Sequence, residues 1–248
     1  VVITGSSSGI GRASAVRFAN AGAKVIAVGR NEKELNSLKN ELENSKNEIK
    51  LYLADLTEMS QIERLITQTV DNFGQIDVLV NSAGIIASGS IENTTLDGWD
   101  KMLNVNLRSV FYIMHKCVPH LEKTEGCIVN VSSVTGTRAF PNVLAYCISK
   151  AGVDQLTRCA ALELAPKKIR VNAVNPGVVE TNLHKRSGML GEDYENFLEH
   201  SQTTHPLGRA GKPEEVAELI YFLASENSAW ITGATYAIDG GRAETCAR

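Results

Sequence analysis

Thr4-Gly5-Ser6-Ser7-Ser8-Gly9-Ile10-Gly11 follows directly on the β-branched run Val1-Val2-Ile3 and leads into a segment of helical character through Val16 to Asn20. Glycines between a first strand and a first helix permit positive φ and let backbone N–H groups come close to a pyrophosphate. The phosphates then lie at the positive end of the helix dipole. An ordinary strand-to-helix turn could carry the same glycines. Its position in a first βα unit is what marks this turn as a dinucleotide cradle, with Gly5, Ser7, Ser8, Gly9, Ile10 and Gly11 as the candidate contacts.

Outward from the turn, short β-branched runs alternate with longer segments of helical period. The runs are Lys24 to Val28, Ile49 to Leu53, Val78 to Val80, Cys127 to Val131, Val171 to Val174 and Thr235 to Ile238. Strands that are apolar on both faces are buried between two helical layers, and right-handed crossovers make such a sheet parallel. The expectation is an α/β fold, a Rossmann-type doubly wound parallel sheet in a three-layer sandwich. Asn31-Glu32-Lys33-Glu34 reads as a helix cap ahead of leucines 35, 38 and 42, and Lys212-Pro213-Glu214-Glu215 starts a helix whose stripe Val216, Leu219, Ile220 and Leu223 belongs in the core.

No linker or repeat interrupts the pattern, so residues 1–248 read as one domain. The polar stretch 182–206, with Gly188 and Gly191, reads either as a substrate lobe or lid or as an irregular loop with a short helix. The net charge of −3 and pI near 6.0 offer no basic footprint for nucleic acid or an anionic membrane, and no apolar run reaches the roughly 18 residues of a membrane span. The five cysteines (117, 127, 147, 159, 246) form no Cys-x-x-Cys pair, and His115, His120, His184, His200 and His205 lack metal-ligand spacing. No metal is expected, and a cytoplasmic setting fits. The chain begins inside a strand, so upstream residues are expected and an organellar leader stays open. Asn93 and Asn130 head glycosylation-type triplets that read as chance.

The second strand ends at Gly29-Arg30, about 20 residues beyond the turn, where an acid would select the ribose hydroxyls of NAD. Arg30 offers instead a planar cation for the 2′-phosphate of NADP, with Arg12 and Lys33 as candidate helpers. NADP(H) is therefore favoured over NAD(H). Farther along, Ser133 closes the fifth strand at its carboxyl end, and Tyr146 and Lys150 are four apart, on one helical face. A free phenol has a pKa of about 10, so a Tyr acting on a carbonyl oxygen needs a neighbouring ammonium to favour its phenolate. The Ser hydroxyl can orient the substrate oxygen.

With these residues assembled, the chain resembles the short-chain dehydrogenase/reductase family over nearly its whole length. Within it, the chain looks most like the 3-oxoacyl carrier-protein reductases and related carbonyl reductases. The resemblance rests on Gly5, Gly9 and Gly11, on Asn81-Ser82-Ala83-Gly84, on Asn106 within Val105-Asn106-Leu107, and on Ser133, Tyr146 and Lys150. It implies Asn106, Ser133, Tyr146 and Lys150 as the catalytic set, with Asn106 in a proton relay. It also implies Asp55 and Leu56 near the adenine, Asn81, Ala83 and Gly84 beside the adenosine, Pro176, Gly177, Val179 and Thr181 at the nicotinamide, and cofactor contacts from Tyr146 and Lys150, as well as a homotetramer. Ser82 departs from the family's usual second Asn.

The function so implied is NADPH-dependent hydride transfer between the nicotinamide and a ketone or secondary alcohol. An NAD-dependent alcohol dehydrogenase, a non-catalytic dinucleotide sensor and a cofactor-assisted isomerase or dehydratase are the competing readings. Ile86, Arg138, Phe140, Leu183, His184, Met189 and Tyr194 are candidate walls of the substrate pocket.

Overall fold

A computed structural model describes residues 1–42 and 48–245; Cys246 lies outside the described residues. Seven strands form one parallel sheet: β1 (Val2–Thr4), β2 (Val25–Gly29), β3 (Ile49–Leu53), β4 (Val78–Asn81), β5 (Cys127–Val131), β6 (Arg170–Pro176) and β7 (Thr235–Ile238). Their spatial order is β3-β2-β1-β4-β5-β6-β7, so the winding direction reverses between β1 and β4. In such sheets the crevice beyond the carboxyl ends of the strands at the reversal is where ligands bind.

Strands β1 to β6 supply both cores because alternate residues face opposite sides, while β7 packs only against the second. Leu79 and Ile128 join α3 (Met59–Phe73), α5 (Ser109–Thr124) and α7 (Leu144–Leu164) through Ile62, Leu65, Ile113, Cys117 and Ala161. Val78, Val80 and Val129 face the other layer, α1 (Gly9–Asn20), α2 (Glu32–Glu41) and α10 (Pro213–Ala224), through Phe18, Leu35, Leu38, Val216 and Ile220. The two helix starts read from sequence carry the expected bonds. Asn31 Oδ1 accepts from the Glu34 amide at 3.2 Å, and Glu215 Oε2 accepts from the Lys212 amide at 2.7 Å.

Between β4 and α5 the chain forms α4 (Leu96–Leu103) and then a π-helical turn, Asn104–Arg108. Such a turn within a helix marks a place where local geometry serves something other than helix stability. Residues 182–206 differ from a loop with one short helix. They hold α8 (Asn182–Arg186) and α9 (Glu192–Thr204), and α9 buries Tyr194, Ser201 and Thr204. α6 (Val134–Thr137) is a single turn capped by Ser133. No helix among the described residues is long and apolar enough to cross a membrane.

Candidate active site

The glycine turn is closed by contacts that leave no room for side chains. A Cβ on Gly11 would sit 2.4 Å from the Gly5 carbonyl oxygen, and one on Gly5, at φ +71, would sit 2.8 Å from the Ala83 nitrogen. Thr4 fastens the turn to the segment after β4: its Oγ1 accepts from the Ser82 and Ala83 amides at 3.0 and 3.1 Å. This is the cradle that a pyrophosphate requires, with backbone exposed where side chains are excluded, and so the residues fit a dinucleotide.

Two cavities open along the sheet's carboxyl edge. One, of about 540 Å³, is bordered by Ser7, Arg30, Lys33, Asp55 and Leu56. The other, of about 300 Å³, is bordered by Ser8, Gly9, Ile10, Ser133, Tyr146, Lys150, Pro176, Gly177, Val179 and Thr181. Gly5, Ala83 and Gly84 border both. The structure thus brings the sequence-derived cofactor residues together around one continuous edge, with two exceptions. Gly11 acts through the turn rather than as a wall. Asn81 is a correction: its amide is buried and donates to Asn130 Oδ1 at 2.8 Å, so the side chain ties β4 to β5 and faces neither cavity. Asn130 in turn donates to Thr157 Oγ1, with no exposed surface to carry a glycan.

At the base of the smaller cavity lie three nearly enclosed side chains. Tyr146, Ser133 and Lys150 are 6%, 7% and 5% exposed. Burial pushes the Tyr146 phenol up to about 12, with a hydrogen bond from Ser133 pulling the other way. Burial also lowers the Lys150 ammonium to about 8, opposed by the charge of Asp154. Lys150 Nζ donates to the Val131 carbonyl at 2.8 Å and lies 5.7 Å from the Tyr146 ring centre. At neutral pH the phenol therefore holds its proton and the lysine its charge.

Asn106, in the π turn, has no exposed surface. Its Oδ1 accepts from the Ile85 amide at 2.9 Å, and its Nδ2 donates to the Ile85 carbonyl and to Ser149 Oγ. The side chain is committed to holding the segment after β4 against α7, at the residue next to Lys150. A Cβ on Gly84 would lie 3.4 Å from Asn106 Oδ1 and 3.7 Å from Lys150 Nζ, which puts both residues around one point.

Several expectations about the walls are corrected. Arg12 does not reach the larger cavity. Its guanidinium spans to α2, donating to the Glu34 carbonyl and pairing with Glu41 at 2.7 Å. Among the candidate pocket walls, Ile86, Phe140, Leu183 and His184 do border the cavity. Arg138 instead clamps the carbonyls of Ala243 and Thr245, and Tyr194 donates to the Thr181 carbonyl at 3.2 Å. Met189 does not border the cavity either.

Sequence reasoning missed Phe197, His200, Ser201 and Thr204, which line the cavity from α9. Their spacing of three, one and three was a legible helical face. It also missed Arg186 and Arg242, which border the cavity, and Asp154, a buried carboxyl behind it. Asp154 Oδ2 accepts from Asn175 Nδ2 at 2.9 Å, and that same nitrogen donates to the Ser133 carbonyl. Asp154 stands four residues beyond Lys150, a spacing that repeats the Tyr146–Lys150 interval and was open to the same reading.

Residues 5–243 match the family described as Enoyl-(Acyl carrier protein) reductase. A solved Caenorhabditis elegans structure described as a short-chain dehydrogenase/reductase of unknown function with cofactor superposes with a TM-score of 0.94 at 39% identity. The match covers 98% of this chain and 94% of that one. The chain belongs to the short-chain dehydrogenase/reductase family. As a member it is an oxidoreductase acting on CH–OH and C=O groups, in a family that uses NAD(P)(H). It is 42% identical over 241 residues to a 3-oxoacyl-[acyl-carrier-protein] reductase of Thermotoga maritima, covering 97% of this chain and 96% of the relative. It is also 35% identical to a meso-2,3-butanediol dehydrogenase of Serratia marcescens, covering 97% and 93%. The two relatives are named for different substrates.

Proposed function

We propose that this short-chain dehydrogenase/reductase is an NADPH-dependent carbonyl reductase, with a ketone or 3-oxoacyl-type substrate reduced to a secondary alcohol. The observation that carries the reading is the buried Tyr146 phenol, held protonated beside Ser133 and Lys150 at the base of a cavity that meets the glycine cradle. Gly5, Ser7, Ser8, Gly9, Ile10, Arg30, Asp55, Leu56, Ala83, Gly84, Pro176, Gly177, Val179 and Thr181 would hold the dinucleotide, which when bound supplies the hydride.

The chain's own residues do the rest. Ser133 orients the carbonyl oxygen, and Tyr146 donates its proton to that oxygen as negative charge develops there. The Lys150 ammonium stabilises the phenolate left behind. Reprotonation runs through Lys150. A relay that includes Asn106 uses the main-chain carbonyl, since the side-chain amide is fully committed to Ile85 and Ser149. The reverse reaction, alcohol oxidation, uses the same groups.

This arrangement has a pH signature. The ammonium form of Lys150 prevails below about 8 and is lost above it. The reductive kcat/KM, which reports groups of the free enzyme, is expected to fall as pH rises through that value. Lys150→Met should remove the alkaline limb along with most of the rate; an unchanged limb in this variant would assign the titration to another group.

NADPH is favoured by Arg30 and Lys33 at the rim of the larger cavity, where no acid replaces them at the end of β2. Asp55 lies 3.6 Å from Arg30 and offsets part of its charge, which is the observation on the side of NAD. Hydrogen bonds from Thr57, then Arg30, hold the Asp55 carboxyl below its usual range. The deciding comparison is kcat/KM for NADPH against NADH. NADPH should be preferred, and Arg30→Ala should lower its kcat/KM by about tenfold, the worth of one charge-assisted contact, without changing NADH. Equal use of both cofactors by the wild-type protein would return the reading to an NAD enzyme. Binding without turnover across a broad substrate panel would favour a sensor.

Residues 1–248 are proposed to act as one domain, with the segment 182–206 as its substrate lobe. Phe111 on α5 and Ile148 and Leu162 on α7 are exposed apolar residues that suit a homotetramer of the kind the family implies. Four cysteines are unpaired among the described residues, which suits a reducing cytoplasm.

A further inference from the structure

Five residues border both cavities: Gly5, Ala83, Gly84, Ile85 and Arg186. The first four belong to the turn after β1 and the segment after β4, and none carries a charge. Arg186 alone comes from elsewhere, at the end of α8 in the lobe between β6 and α10. Any dinucleotide with its adenosine in the larger cavity and its nicotinamide in the smaller one passes its diphosphate through this seam.

The base of α8 is fixed to the cradle. Thr181 caps the helix, and its Cγ2 lies 2.9 Å from where a Cβ on Gly9 would stand. The buried Tyr194 ring holds Thr181 from behind through its hydroxyl. Five residues on, the Arg186 side chain is exposed, and its guanidinium has neither a hydrogen bond nor an ion pair among the described residues. The other cations along the edge serve its ends: Arg30 and Lys33 the outer cavity, Lys150 and Arg242 the inner one. The middle of the path, where a diphosphate concentrates its charge, has Arg186.

We propose that Arg186 binds the diphosphate of the dinucleotide, reaching across the seam as a strap from the substrate lobe. This rests on the reading that a nicotinamide dinucleotide occupies both cavities. A planar guanidinium suits two phosphate oxygens at once. An anionic substrate in the inner cavity would not account for the contact with the outer one, and a 2′-phosphate would not account for the contact with the inner one. Because the same lobe carries Leu183, His184 and Phe197, engagement of Arg186 also sets the wall that the substrate meets.

The test is direct binding rather than turnover. Arg186→Met keeps the apolar stem, and its exposed position spares the fold. NADPH and adenosine 2′-monophosphate, which lacks a diphosphate, are titrated against wild type, Arg186→Met and Arg186→Lys. The Met variant should bind NADPH about tenfold more weakly, the Lys variant should recover part of the loss, and adenosine 2′-monophosphate should bind all three alike. Unchanged NADPH affinity in the Met variant overturns the strap, and so does an equal loss of adenosine 2′-monophosphate binding, which would place Arg186 at the 2′-phosphate instead. Wild-type protein that binds no dinucleotide would overturn the cofactor reading and the strap together.

Discussion

Tyr146→Phe is expected to lower kcat for carbonyl reduction by about 10²- to 10⁴-fold, the range a positioned general acid supplies, with NADPH affinity unchanged. The substitution removes one oxygen from a ring that is 6% exposed and otherwise packed with Met102 and Ala145, so the cavity keeps its shape. What is lost is the proton. Burial holds the phenol up to about 12, so the wild-type residue arrives protonated at neutral pH, and no other hydroxyl in the cavity has a buried lysine one helical turn away. Ser133 cannot take over, because an alkyl hydroxyl is a far weaker acid than a phenol; its oxygen, which accepts from the Thr135 amide at 3.1 Å, is placed to orient the substrate. Steady-state kinetics beside a fluorescence titration of NADPH would check this; a Phe variant retaining more than a tenth of the rate would remove Tyr146 from the chemistry.

Gly11→Ala should be as damaging for a different reason. Two effects of opposite sign meet there. Gly11 lies inside α1, where helix propensity alone would favour Ala by about 1 kcal/mol. The added methyl, however, would stand 2.4 Å from the Gly5 oxygen and 3.0 Å from the Thr4 oxygen, both backbone atoms. Neither can swing aside without moving the turn, and overpacking of this kind costs about 1–3 kcal/mol. The contact outweighs the propensity. The variant should therefore unfold at lower denaturant concentration and lose measurable dinucleotide binding. A denaturant midpoint at or above that of the wild type would show that the turn yields where the structure says it is closed.

Much of the fold was legible because the chain announces itself locally. Strands apolar on both faces implied a parallel sheet with two helical layers, and the two helix starts formed as the side chains of Asn31 and Glu215 require. The proposed catalytic cluster was legible for a related reason: Tyr146 and Lys150 are neighbours on a helix, and Ser133 follows a strand at the edge where ligands bind. The errors come where a side chain's direction depends on distant partners. Asn81 lies in the right segment, but its amide meets Asn130 across the sheet, a contact set by strand register rather than by local pattern. Arg12 and Arg138 look like free cations in the sequence and are consumed by α2 and by the carbonyls near the carboxyl end. α9 could have been read from its own period, and with it the wall made by Phe197 and His200.

Asp154 illustrates a different obstacle. A carboxyl that is 1% exposed, with one oxygen bonded to Asn175 and the other without a partner, is rare enough to call for a reason. Burial raises its pKa, and its charge in turn favours the Lys150 ammonium. Its place in the account is to hold, through Asn175, the strand end that presents Ser133.

The central claim is that this chain's Tyr146 completes a hydride transfer by protonating a carbonyl oxygen. The most direct measurement is a single turnover. NADPH-loaded protein is mixed with a ketone or 3-oxoacyl thioester, and the nicotinamide absorbance and the alcohol product are followed together, in wild type and in Tyr146→Phe. The account predicts that alcohol appears in step with NADPH lost in the wild type, and that the loaded Phe variant shows neither. Equal single-turnover rates in the two proteins, or NADPH that stays bound and unoxidised by the wild type with every carbonyl offered, would contradict it.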